Sequence, residues 1–420
     1  MITTIPLFPG ITLRCFPDQR FKQGCLNVQL LRPMCRDEAA LNALLPEVLL
    51  RGTQSAPDLR CITRQLDDLY GASAGAMVRR VGDYQTIVVH MGFIDDRYAL
   101  EGDEILAPTV TLLRQLLLEP VLENGCFRQD YVESEKKNLI SALESTRNNK
   151  RVYAVNQTLK QMCGNDSFGI PRLGEPEQVS AITAARLYDH YRKILRESPV
   201  NLFYVGSAQP EQVAELLRPV FAGLDRQVTP LPPQTALSAG RPNRITEEMD
   251  VTQGKLCMGY VTPVTTRDDR FAAMQVLNTI LGGGMTSKLF MQVREKQSLC
   301  YDIGSTYHGS KGIVMVSAGI DFEKQETVEQ EVRRQLHACC RGEFSQAELN
   351  AAKQAILTQL QATHDSPGAI EGYYSSGVLS GMTMTPDAYM QAVEAVTPEM
   401  AAQVARTLHE HTVYFLRGKP

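Results

Sequence analysis

The seven histidines, His90, His190, His308, His337, His364, His409 and His411, are the side chains best suited to bind a metal or move a proton at neutral pH. Their spacing supports neither role. No H-E-x-x-H or H-x-x-E-H pair occurs, so no two imidazoles share a helical turn with a carboxylate beside them. His409 and His411 form one close pair around Glu410, and their position just before an expected terminal strand reads as a solvated loop. The ten cysteines run from Cys15 to Cys340 without a C-x-x-C pair, which in a chain of 420 residues points to reduced, packed thiols. The adjacent Cys339 and Cys340 read as two small residues of a helix. Nucleophilic triads have no local signature either, since G-x-S-x-G is absent. Gly282-Gly283-Gly284 lacks the G-x-x-x-x-G-K-[ST] spacing of a phosphate loop and reads as a turn before a helix.

The elements that would position any site are more legible. The balance of 43 Lys+Arg against 47 Asp+Glu, net charge -4, gives no basic excess for nucleic acid or an anionic membrane. No apolar run approaches the roughly 18 residues of a membrane-spanning helix. The first residues, with Pro6 and Pro9 and no basic stretch, do not resemble a secretory signal. A cytoplasmic location is the resulting expectation. Pro230, Pro232, Pro233 and Pro242 mark a linker near the middle, and the halves on either side repeat one order of elements. Val179-Ser180-Ala181-Ile182-Thr183 leads through a helix to the strand Asn201 to Val205. Val393-Glu394-Ala395-Val396-Thr397, about 214 residues on, leads likewise to Thr412 to Leu416. Consecutive strands open each half (Ile2 to Arg14 and Gly24 to Leu31; Arg244 to Asp250 and Lys255 to Val261), which predicts an α+β fold with antiparallel sheets and helices on one face.

One helix stands out for what it lacks. Leu41, Leu44, Leu45, Val48 and Leu49 define a buried stripe, Asp37 is placed to cap it, and Pro46 interrupts its interior, deleting the hydrogen bond back to Asn42. The string from Ala43 through Pro46 and Glu47 to Arg51-Gly52-Thr53 resembles the zinc-site helix of the M16 (pitrilysin/insulinase) peptidases, whose pattern is H-x-x-E-H, an apolar run and K-G-T. The three functional positions are Ala43, Pro46 and Glu47 in this sequence, and none can play its part. Ala has no donor atom, Pro has no carboxylate, and Glu47 offers a single hard oxygen ligand where an imidazole is wanted. The later helix that completes such sites matches at Glu133. The resemblance thus implies no zinc and no other cofactor.

The run from Gly282 to Tyr301 is similar to the C-terminal segment of M16 peptidases of the B type. Thr286 or Ser287 would cap its helix, and Leu289, Phe290 and Val293 would face inward. By that resemblance Arg294 and Tyr301 are the substrate-binding residues, reaching toward a peptide in the active chamber. Leu69 to Ala76 resembles the family's G-G-x-x-N-A edge strand, with Gly75 in place of the Asn, where a substrate backbone adds as an extra strand. The implied architecture is two homologous LuxS/MPP-like metallohydrolase domains. Residues 1–224 would carry the degenerate zinc site, 225–244 the linker, and 245–420 the Arg/Tyr pair. The implied function is a non-catalytic, peptide-binding subunit of a heterodimer with a zinc-bearing M16 partner, inactive by itself. A stand-alone peptide-binding or scaffolding pseudopeptidase is the alternative, and a hydrolase built on Glu47 and Glu133 around a hard cation is a third reading.

Overall fold

Strand Gln23–Pro33 shows how the sequence builds a sheet with two different faces. Leu26, Val28 and Leu30 point into an apolar core, while Asn27 and Gln29 point to the opposite side. The computed structural model describes residues 2–419. Its first sheet runs, neighbour to neighbour, Thr3–Phe8, Ile11–Pro17, Val200–Gly206, Gln23–Pro33, Tyr84–Ile94 and Ser73–Val81. The second runs Asn243–Met249, His409–Gly418, Gly254–Val261, Ile313–Ile320 and Asp302–His308. Apart from the additional strand Thr3–Phe8, the two orders coincide. Each contains one parallel pair, Ile11–Pro17 with Val200–Gly206 and Asn243–Met249 with His409–Gly418, and the other neighbours are antiparallel. The duplicated α+β architecture expected from the sequence is therefore present.

Local signals recur at matching places. Thr183 caps helix Ala184–Glu197 by accepting from Arg186 N, and Thr397 caps Pro398–Ala405 by accepting from Met400 N. Both are the final residue of the repeated V-x-A-[IV]-T core. The Pro-rich residues 224–242 carry neither helix nor strand.

The described chain divides into two compact units, neither continuous in sequence. The first holds the residues up to Glu144, Ile170–Pro233 and His364–Ser376. The second holds Ser145–Gly169, Gln234–Thr363 and the chain from Gly377 onward. Helix Lys150–Cys163, from the first half, lies on the second sheet, where Ala154, Leu159, Met162 and Cys163 pack against Cys257, Val261, Ile313, Met315, Tyr414 and Leu416. Most of helix Pro367–Ser380, from the second half, belongs to the first unit. These two segments distinguish the units from a division made at residues 224 and 245. A Pro-rich stretch marks chain order, whereas a helix goes where its side chains find partners.

Two local expectations are corrected. Helix Ala39–Leu49 begins after Glu38 and not on an Asp37 cap; the Glu38 carboxylate is drawn instead to Arg32 (2.8 Å) and Lys193 (2.7 Å). His409, Glu410 and His411 belong to strand His409–Gly418 and not to a solvated loop, and His411 is buried against the Thr412 hydroxyl. A strand places i and i+2 on one face, so the spacing fitted a strand equally well.

Candidate functional site

Helix Ala39–Leu49 packs so closely that every residue except Glu47 is buried. Pro46 is accommodated inside it, and its missing N–H leaves the Asn42 carbonyl without its usual helical donor, while the Asn42 side chain organises the surroundings. Asn42 Nδ2 donates to Gln85 Oε1 (2.8 Å), so its Oδ1 is the acceptor for His190 Nε2 (2.6 Å), which fixes the imidazole proton on Nε2. Burial pushes the His190 pKa down to about 4. Gln85 in turn donates to the carbonyls of Ala39 (3.1 Å) and Arg172 (2.7 Å).

The carboxylate that faces this helix is Glu135, not Glu133. On helix Gln129–Asn148 the buried stripe is Tyr131, Val132, Glu135 and Lys136, and Glu133 lies off it, bonded to Gln129 (3.0 Å) and Lys136 (3.0 Å). The i, i+4 spacing of Tyr131 and Glu135 carried that information in the sequence. Glu135 receives Arg51 Nη1 (3.0 Å) and Asn138 Nδ2 (2.9 Å), and the Arg51 guanidinium lies over the Tyr131 ring. Shielding by the surrounding protein, and then the charge of Glu135, push the Glu47 carboxyl above its usual range. Zinc does not fit here: Ala43 and Pro46 offer no donor, and Glu135 is engaged by a guanidinium. Among the described residues no group of three or more His, Cys, Asp or Glu side chains could hold a metal ion.

Arg294 and Tyr301 line one open groove of about 430 Å³ with Glu295, Ser298, Leu299, Cys300, Asp321 and Lys324. The segment Leu289–Lys296 winds as a π-helix, a form often associated with functional sites. Its fully buried Leu289 and Val293 anchor it, and the left-handed Ser298 (φ 51°) ends the turn before Tyr301. Arg294 stacks on Phe290 at 4.6 Å and lies 3.6 Å from Glu295. The exposed Tyr301 hydroxyl donates to Asp321 Oδ1 (2.9 Å), which raises its pKa, and Asp321 also pairs with Lys324 (2.9 Å). Between them, burial and then Asp302 push the Cys300 thiol up to about 11, so it is no nucleophile at neutral pH. No motif marks Asp321 and Lys324, because they lie in the turn that follows the neighbouring strand Ile313–Ile320, 20 residues or more from Tyr301 in sequence.

Residues 181–356 match the family model described as the peptidase M16 inactive domain. The "probable inactive metalloprotease YmfF" of Bacillus subtilis is 30% identical over 409 residues, covering 97% of this chain and 96% of that one. The chain belongs to the M16 peptidase family. Within that family it is a non-catalytic member, as the side chains at positions 43, 46 and 47 require. A crystal structure of a conserved protein from Enterococcus faecalis superposes with a TM-score of 0.94 at 26% identity, covering 100% of this chain and 99% of that one. The peptidase M16 inactive domain of Pseudomonas fluorescens shares the fold at a TM-score of 0.83 and 17% identity, over 100% of this chain and 98% of its own. No helix among the described residues is long and apolar enough to cross a membrane.

Proposed function

We propose that this chain is the substrate-binding subunit of a heterodimeric M16 zinc peptidase, in which Arg294 and Tyr301 act on a peptide held at a zinc-bearing partner's metal. The observation that carries this reading is that both donors line one open groove in the second unit, while the helix that would bear zinc has only the Glu47 carboxylate to offer. A guanidinium and a phenol can hold a peptide carbonyl in register and polarise it, the phenol exchanging its bond to Asp321 for one to the substrate. In the first unit, the outer edge of strand Ser73–Val81 supports docking of the peptide backbone by strand addition. A cytoplasmic location is in keeping with ten free cysteines.

The test is co-expression with a zinc-bearing M16 chain and a peptide-cleavage assay on each chain alone and on the mixture. Only the complex should gain activity from this subunit. Arg294→Ala and Tyr301→Phe should leave pairing intact and lower the activity of the complex about tenfold or more, since one lost donor at a reacting carbonyl is typically worth about 2.7–4 kcal/mol. A doubly substituted complex with full activity would reduce the pair to packing residues and favour a stand-alone scaffold.

A further inference from the structure

Strand Ser73–Val81 ends the first sheet, and its hydrogen-bond phase is fixed by one contact. The Arg172 guanidinium donates to the Val78 carbonyl, which therefore points outward, away from strand Tyr84–Ile94. In an antiparallel ladder the outward groups alternate, so Ala74 and Ala76 also present their N–H and C=O outward. Among the described residues no other backbone group bonds them. Gln85 holds the Arg172 carbonyl in place (2.7 Å), so Arg172 is a fixed stop at one end of a short open stretch.

Gly75 lies within that stretch and faces the side of the sheet where Gln29, Arg79 and Glu371 meet. A Cβ on Gly75 would clash with His90 Nε2 and Cε1. The imidazole therefore occupies the space where a side chain of the edge strand would stand. His90 Nδ1 is buried without a partner, and Nε2 is the ring nitrogen that lies over Gly75, able to donate there when it carries the ring proton. Its neighbours on this face are already engaged: Arg79 bonds Glu371 (3.4 Å), Ser375 (3.3 Å) and Met77 Sδ (3.1 Å), and Glu371 accepts from Gln29 (3.0 Å). Of the charged side chains bonded at this strand, Glu371 offsets Arg79, whereas Arg172 bonds the neutral Val78 carbonyl.

Resting on the peptide-docking reading above, we propose that this edge selects its peptide through His90. It takes a short extended segment, bounded by Arg172, that places an aspartate or glutamate opposite Gly75 with its carboxylate on His90 Nε2. A residue added opposite Gly75 would have its Cα about 4.5 Å away, the spacing of a non-hydrogen-bonded pair, which lets a short acidic side chain reach across the glycine. Any other residue at position 75 would displace the ring.

The test uses fluorescein-labelled pentapeptides, Thr-Val-Asp-Val-Thr and its central Asn and Ala counterparts, titrated by anisotropy onto the full chain at low salt. The aspartyl peptide should bind at least tenfold more tightly than the alanyl one. His90→Ala should abolish that preference while keeping weak binding of all three. Arg172→Ala should leave these pentapeptides, which span only positions 73–77, unchanged and should tighten versions extended by two residues past Val78. Thermal melting checks that each variant is folded. Equal binding of the three peptides to the native chain, or an Asp preference that survives His90→Ala, overturns the inference. Selective binding by a chain that adds nothing to a zinc-bearing partner's activity would support it while removing the heterodimer reading.

Discussion

The second sheet meets helix Lys150–Cys163, and the first meets helix Pro367–Ser380, at equivalent places in the duplicated architecture, but the two contacts are chemically opposite. In the second unit the face is apolar, with Met162 packed onto Gly259 and a lining of Cys257, Ile313, Met315 and Leu416. In the first unit the same face carries Gln29, Arg79 and His90 around Glu371, which is 2% exposed. Gln29 Oε1 and His90 Nδ1 remain buried without partners there. An apolar contact gains from every methylene it hides, whereas a buried polar contact roughly breaks even and must satisfy each atom it covers. The same fold thus uses one helix as adhesive and the other to position polar groups.

The apolar contact of the second unit depends most on Met162. Met162→Ala should cost about 2–5 kcal/mol, the range for truncating a buried side chain, read as a lowered urea midpoint with hydrogen exchange quickening in the second unit first. A loss below about 1 kcal/mol would show that the helix is held by its polar ends, Tyr153 to Glu247 (2.7 Å) and Arg151 to Asp302 (2.9 Å), and not by its apolar face.

Acid should strain the first unit through His190. Its folded pKa, about 4, lies below the ordinary 6.5, so the unfolded chain takes up the proton first as pH falls. The stabilisation is fully present above pH 6.5 and is lost progressively down to about pH 4, amounting to about 3 kcal/mol at 1.36 kcal/mol per unit. Burial lowers His90 and His411 as well, so the decisive measurement is the difference between the native chain and His190→Gln. A pH dependence between 6.5 and 4 that is identical in both would remove His190 from the account.

Glu371→Ala should cost less, about 1–3 kcal/mol, by leaving Gln29 Nε2 and Arg79 without their carboxylate. Glu371→Leu separates the two views of this face in the same denaturation experiment. If the polar cluster is there for positioning, the apolar replacement should recover part of that loss. A Leu variant as unstable as the Ala variant would mean that the carboxylate holds the helix.

Much of the fold was legible because it is written locally. The strand periodicity and the repeated V-x-A-[IV]-T core are short-range signals, and each corresponds to an observed element. The loss of zinc ligands at Ala43 and Pro46 was equally plain, since it needs only residue identity. What could not be read was pairing across the chain. Nothing near Lys150 indicates that its helix belongs with Gly254–Val261, and nothing near Tyr301 names Asp321 as the acceptor of its hydroxyl. Glu135 is an intermediate case: its place on the buried stripe of Gln129–Asn148 was available from helical periodicity, but motif spacing drew attention to Glu133.

The smallest effects test whether the repeat is conserved in its local physics even where its surfaces have diverged. Thr183 and Thr397 occupy the same place in the two halves and accept from the third residue of their helices at 3.2 and 3.3 Å. Replacing an N-cap Thr by Ala typically costs about 1 kcal/mol, and Ser retains most of the function. The two sites differ in the next residue: Ala184 follows Thr183, whereas Pro398 follows Thr397 and already fixes the backbone angle of the first helical turn. Thr183→Ala should therefore cost about 1 kcal/mol and Thr397→Ala somewhat less, with Ser restoring both, as read from chemical denaturation of the four variants. The reverse order would show that Pro398 depends on the cap instead of substituting for it, and the two helix starts would then be alike in sequence only.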